Sequence, residues 1–313
     1  MGATWAIALL AREPAALVMA NLRWHIAQGA RELHLYLDDP FDPVAEQARA
    51  LPGVRVTLCD AAFWSGINGA RPPLQTRRQT LIATQAYART GCDWLVHLDA
   101  DEFLWVPDLA AQLARCPHDM LHIPVAERVW TRPHPQHLLE GGFRAPRPGP
   151  ASEPAMQPYF NRGMSGHAAG KSASRTGRGM EILPHMPRLH GQVPPSTKAQ
   201  EGWILHFDGL TPLHYLRKML AYRGYTQVQR GKLFGAHRLA QIERLESLTG
   251  DAQGLDAFMR ALKWGQAGDL MGIDLAAAMG ITDDLTCADF DAALSVHSGN
   301  VVENWRTRKD SNL

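Results

Sequence analysis

Short apolar runs alternate with longer segments of helical periodicity over the first hundred residues of this chain, and acidic residues gather where the apolar runs finish. "TWAIALLA" at 4–11 is a fully buried strand in pattern, followed by Arg12 and Glu13. After Pro14, Leu17, Val18, Leu22 and Ile26 fall at helical spacing, and Gly29 gives a natural stop. "ELHLYLDD" reads as a second strand ending on Asp38 and Asp39, and "DPFDP" as the turn beyond it. "PVAEQARAL" reads as a helix, "GVRVTLCD" as a third strand, "TRRQTLIATQAYARTG" as a helix and "DWLVHLDADEF" as a fourth strand. Strands and helices alternating at this spacing predict an α/β fold with a mostly parallel sheet. Ligands of such sheets bind outside the carboxyl ends of the strands, where Glu13, Asp38, Asp39, Asp99 and Asp101 fall.

The pattern breaks between 131 and 200, a stretch rich in Pro, Gly and His that reads as a loop-rich insertion over the site. "GWILHFDGL" then restores a strand ending on His206 and Asp208, and the chain beyond Pro212 reads as helices. The expected organisation is one nucleotide-binding and catalytic domain over 1–215, with 131–200 on its acceptor side, and a helical region over 216–313.

Composition narrows the partners. The 313 residues are 45% hydrophobic and 20% charged, with a formal charge of +1, which argues against bulk electrostatic binding of nucleic acid. Arg217, Lys218, Arg223, Arg230, Lys232 and Arg238 read as a solvated helix face, with docking of an anionic acceptor or a membrane surface as the alternative. Cys59, Cys92, Cys116 and Cys287 are scattered without a CxxC, as reduced cysteines of a cytosolic protein are. The first apolar stretch is too short to span a membrane and no basic residue precedes it; Gly2 opens a myristoylation pattern that Ala6 breaks. A cytoplasmic location is therefore expected. Abundant Ala, and Arg in preference to Lys, fit a GC-rich bacterial genome.

The chemistry concentrates in "WLVHLDADEFLW", residues 94–105. A carboxylate near a core is costly unless it is paired, hydrogen-bonded or bound to a metal. In a strand alternate side chains share a face, so Asp99 and Asp101 are expected to project together while Ala100 and Glu102 turn away. Hard oxygen ligands of that kind suit magnesium or manganese, which also take phosphate oxygens. Glu102 reads as structural, paired with an arginine. Two competing motifs fail: "GKS" at 170–172 lacks the glycine of a phosphate loop, with Ser165 in its place, and His134, His137, His185 and His190 have no zinc-site spacing.

"DWLVHLDADEFL" resembles the DxD segment of GT-A-fold glycosyltransferases, particularly a bacterial family-2-like group with an "xDEFL" tail. The resemblance extends over 4–220. "IALLAREPAALVMANLRWHIAQGARELHLYLDD" resembles the opening of that group, with its helix carrying Trp-His, and "GKSASRTG" and "ILHFDGLTPLHYLRKM" resemble later segments of it and of the related family 92. It implies a Rossmann-like GT-A fold and transfer of a sugar from a nucleotide-sugar donor to an acceptor hydroxyl, in bacterial polysaccharide or lipid-linked glycan synthesis. By the same resemblance Asp99 and Asp101 hold a divalent metal and the ribose-diphosphate, and Asp38 or Asp39 sits near base and ribose. The backbone up to Glu13 lines the pocket, Arg78 approaches the nucleotide, and His206 completes the metal site. Lys171 and Arg175 would add positive charge there or bind the acceptor. The acidic pair of many family 2 enzymes is missing; only Glu153, Glu181, Glu201 and Asp208 stand between 151 and 210. Asp208 is the choice for a general base, if the reaction uses one. "HFDG" is also similar to the "HFNG" of retaining family 8 enzymes, so the stereochemical outcome stays open. Two other readings share these residues: a metal-dependent nucleotidyl- or phosphotransferase, and a catalytically silent sugar-nucleotide- or glycan-binding protein.

Overall fold

The computed structural model describes residues 2–132, 135–147, 153–265, 270–280 and 285–298, with side chains omitted at 232 and 295–298. The chain forms two compact units, 1–125 with 169–205 and 126–168 with 206–313. The stretch read as one loop-rich insertion is thus shared between them.

The first unit is built on β1 (Trp5–Ala11), α1 (Ala15–Ala27), β2 (Glu32–Leu37), α2 (Val44–Arg49), β3 (Val54–Leu58), α3 (Ala61–Asn68), α4 (Gln75–Arg89) and β4 (Trp94–His97). It continues with β5 (Glu102–Trp105), α5 (Leu109–Arg115) and β6 (Met120–Ile123). The chain passes into the second unit within β7 (Val125–Val129), which is followed by β8 (Gly142–Arg144). It returns for β9 (Lys171–Arg175) and β10 (Ser196–Lys198), and leaves again at the end of β11 (Trp203–His206).

Seven strands make one sheet in the order β10-β6-β9-β4-β1-β2-β3. β3, β2, β1 and β4 run parallel, as the alternating pattern predicts. β9 is antiparallel to both β4 and β6. This strand lies inside the segment read as loop. Its residues, Lys-Ser-Ala-Ser-Arg, include one apolar side chain, so hydrophobic periodicity gives no sign of it. Helix α3 also escaped the pattern; Asp60 caps it by accepting from the Phe63 N–H at 2.7 Å. Every residue of β1 and β2 is buried; β1 is accordingly apolar throughout, while β2 also buries Glu32 and His34, which lie 3.1 Å apart.

The second unit pairs β7 with β8 antiparallel and carries the helices α6 (Pro212–Leu220), α7 (Gln227–Leu233), α8 (Ala236–Ser247), α9 (Ala252–Lys263), α10 (Leu275–Met279) and α11 (Cys287–Ser298). Its core gathers Trp130, Tyr215, Leu216, Met219, Ile242 and Leu245 with Phe258, Met259 and Leu262. Among the described residues no helix is long and apolar enough to cross a membrane.

Candidate functional site

The chain steps from β1 through β2 to β3 and then crosses back to β4 on the other side of β1, and such a reversal of strand order is the position at which open α/β sheets form a ligand crevice. Glu13 follows β1, Asp38 follows β2, and Asp99 stands two residues beyond β4. Residues 98–101 do not continue the strand, contrary to the alternation expected. Leu98 N–H still donates to Ala8 O at 3.0 Å, but the chain then turns, closed by Glu102 N–H donating to Asp99 O at 3.0 Å, and β5 starts at Glu102. Aspartate is favoured at the first position of such a turn. The carboxylates therefore fan out around a turn instead of sharing a strand face.

Helix α1 holds this turn by three side chains. Asn21 donates to Ala100 O at 3.1 Å and Glu102 O at 2.8 Å, and Trp24 donates its indole N–H to Leu104 O at 2.7 Å. Leu104 N–H donates to His25 Nε2 at 3.1 Å, so the His25 proton sits on Nδ1, directed at Asn21 O 2.8 Å away. The Trp-His pair of the helix is thus a backbone clamp on the segment after the turn. Burial pushes the His25 imidazole down to about 4, against the pull of its bond to Asn21 and of the Glu102 charge. Unfolded histidine titrates near 6.5, so between about pH 6.5 and pH 4 the unfolded chain takes up a proton that the folded chain refuses. Stability is expected to fall by up to about 3 kcal/mol across that window from this group alone. Urea unfolding at pH 7 and pH 4.5 measures it, and His25→Gln should flatten the slope.

Lys171, at the start of β9, decides the electrostatics of the turn. Its ammonium lies 3.0 Å from Asp99 Oδ2 and 2.9 Å from Glu102 Oε2, with the side chain almost wholly buried. Glu102, fully buried, also accepts the Asp99 N–H at 2.8 Å, while Gln79 donates to Asp99 Oδ1. Burial opposes charge on Lys171, yet Asp99 and Glu102 outweigh it and hold the ammonium above its ordinary value. Burial likewise opposes ionisation of Asp99, and Lys171 overcomes it. Glu102 was expected to pair with an arginine, and the cation beside it is Lys171. Lys171 faces two carboxylates rather than a free anion site. Gly170 brings it there with φ of +70°; a Cβ at this position would lie 2.3 Å from Ile123 O. Arg175, at the far end of β9, is engaged elsewhere: it pairs with Asp119 at 2.9 Å and covers the Trp94 ring.

A cleft of about 470 Å³ opens beyond β2 and β3, lined by Asp38, Pro40, Cys59, Asp60, Trp64 and Arg71 among others. Asp38 Oδ2 is 2.7 Å from Arg71 and 3.2 Å from Arg78. Arg78, in the first turn of α4, also donates to Pro72 O and Pro73 O, both at 2.9 Å. The structure thus brings Asp38 and Arg78 together. Asp39 is a turn former, accepting the Phe41 N–H at 3.0 Å, and does not line the cleft. Cys59 is inert: burial, then the Asp38 charge, pushes its thiol up to about 12.

In the second unit Asp208 departs from the role favoured by the sequence. Arg238 grips both its oxygens at 3.0 and 3.2 Å, and Lys263 Nζ lies 2.8 Å from Oδ2. Burial works against the charge, but Arg238 and then Lys263 hold this carboxyl well below its ordinary range. A buried carboxylate neutralised by two cations is a poor proton acceptor, and Asp208 is not carried forward as a base. Glu127, buried 2.9 Å from Arg144, accepts from Ser165 N–H and Gly166 N–H, each at 2.8 Å, and from the Ser165 hydroxyl. Arg230 pairs with Glu246 at 2.9 Å, so two of the six basic positions read as a solvated face, Arg230 and Arg238, are consumed by internal ion pairs. His134 lies outside the described residues.

No family model matches the sequence, and no curated protein matches it. Among solved structures, the crystal structure of HddC from Yersinia pseudotuberculosis is similar over 45% of this chain and 68% of its own, at 9% identity and a TM-score of 0.30. A likeness of that degree bears on neither substrate nor reaction.

Proposed function

We propose that the chain is a glycosyltransferase that moves a sugar from a nucleotide-sugar donor to an acceptor hydroxyl with a divalent cation. The observation that carries this is the acidic turn Asp99–Glu102, held by α1 at the carboxyl end of β4 beside β1. The cleft beyond β2 and β3 opens at the same end of the same sheet and offers Asp38 and Arg71 to a polar ligand. A nucleoside suits the cleft and its diphosphate the turn.

The donor set fits a hard divalent cation. Asp99, Asp101 and Glu102 gather at the turn, and hard carboxylate oxygens of this kind suit a divalent cation that also takes phosphate oxygens. Asp99 and Asp101 would hold that ion, and when bound it stabilises charge on the leaving diphosphate oxygens. Lys171 fixes the Asp99 carboxylate and balances Glu102. Glu13, which follows β1, would line the donor site beside the turn.

Turnover tests the proposal. Incubation with a panel of nucleotide sugars and manganese should release nucleoside diphosphate, and Asp101→Ala should slow release by about 10²-fold or more. Release of nucleoside monophosphate or pyrophosphate instead would identify a nucleotidyl- or phosphotransferase. Binding of donor without release of any product would identify a silent sugar-nucleotide-binding protein.

A further inference from the structure

His167 was not among the residues that the sequence singled out, and the second unit gives it a particular place. Its ring lies against that of His206 with centroids 4.7 Å apart and planes tilted by 36°. A ring nitrogen of each lies within 4.8 Å of the other. His206 ends β11 and is buried; His167 is half-buried.

Both imidazoles are delivered by backbone anchored on buried charge. The segment Ser165–Gly166–His167 hangs from Glu127, which accepts its first two N–H groups. Gln241 donates to Ser165 O at 2.9 Å, and the His237 ring nitrogen lies 3.0 Å from Gly166 O. On the other side Asp208, two residues after His206, is locked by Arg238 and Lys263. Gly166 lets the two segments approach: a Cβ there would lie 3.1 Å from His206 Cε1 and 3.3 Å from Asp208 Cβ. Backbone preorganisation of this kind is what a ligand pair needs to hold its geometry.

We infer that His167 is a metal-ligating residue paired with His206, and that the pair takes a first-row transition ion in preference to magnesium. Imidazole nitrogen suits zinc, cobalt and nickel, whereas magnesium demands oxygen ligands and gives up water reluctantly. The inference concerns the cation alone and stands without the nucleotide-sugar reading, although the resemblance already offers His206 as a ligand.

Cobalt(II) chloride titrated into the full, EDTA-treated and dialysed chain tests it, followed by calorimetry and visible absorption, with magnesium chloride as competitor. No nucleotide is present, so failure here is separate from failure of donor binding. The wild type should bind cobalt at least tenfold more tightly than His167→Ala and His167→Asn, with magnesium at a tenfold excess displacing little of it. Both variants change a half-buried side chain and should keep the wild-type far-ultraviolet circular dichroism; if the alanine variant loses it, the asparagine variant carries the comparison. Equal cobalt affinity in wild type and a folded His167 variant overturns the inference, as does absence of cobalt binding to the wild type or displacement of cobalt by equimolar magnesium.

Discussion

Lys171→Met is expected to lower the unfolding free energy by about 3–5 kcal/mol at neutral pH, the cost of breaking a buried ion pair from one side. The substitution keeps the length and apolar stem of the side chain, so packing on β9 changes little. It removes the ammonium that sits within 3.0 Å of both Asp99 and Glu102. Glu102 has no exposed surface and cannot turn to water. The loss is a large share of the 5–15 kcal/mol that ordinary domains possess. It carries a signature: the deficit should shrink as pH falls through the carboxylate range, because protonation removes the repulsion, and millimolar manganese should recover part of it. Urea unfolding at pH 7 and pH 4.5, with and without the ion, reads all three. A variant within about 1 kcal/mol of wild type at pH 7 would mean that the two carboxylates do not depend on Lys171.

The second large effect is expected at Asp208, and charge balance predicts which neighbour matters. Glu127 and Asp208 face Arg144, Arg238 and Lys263 in the buried cluster of the second unit. Asp208→Asn leaves three cations against one carboxylate and should cost about 3–5 kcal/mol. Lys263→Met leaves two matched pairs, Glu127 with Arg144 and Asp208 with Arg238, and should cost far less even though it gives up its hydrogen bonds to Ser165 and Asp208. Thermal denaturation of the two variants side by side checks the order. Were Asp208 a general base, the asparagine variant would instead fold as well as the wild type and lose activity alone.

β1, β2 and β4 were legible in the sequence because they are buried along their length and read as largely apolar runs between helices marked by Pro14 and Gly29. β9 was not, because Lys171, Ser172 and Ser174 are buried although polar, Lys171 against Asp99 and Glu102 and Ser172 against His185 O, which leaves no periodic trace. The acidic turn was found from its position, but not its geometry: four residues suffice to leave the strand, and alternation cannot register so short a departure. The work of Trp24 and His25 on the turn depends on contacts some 80 positions away. Lys263 did leave a signal. It falls on the buried face of α9 with Phe258, Met259 and Leu262, and a lysine on an apolar stripe calls for a buried carboxylate.

The central claim, that the turn after β4 serves a cation and a diphosphate, is tested most directly by thermal denaturation with nucleoside diphosphates, with and without manganese, on the wild type and on Asp99→Ala/Asp101→Ala. A ligand bound only by the folded state raises the melting temperature. The account predicts that one diphosphate stabilises the wild type in a manganese-dependent way and that the double variant loses this response. Stabilisation that survives in the variant, or none by any diphosphate in the wild type, would contradict it.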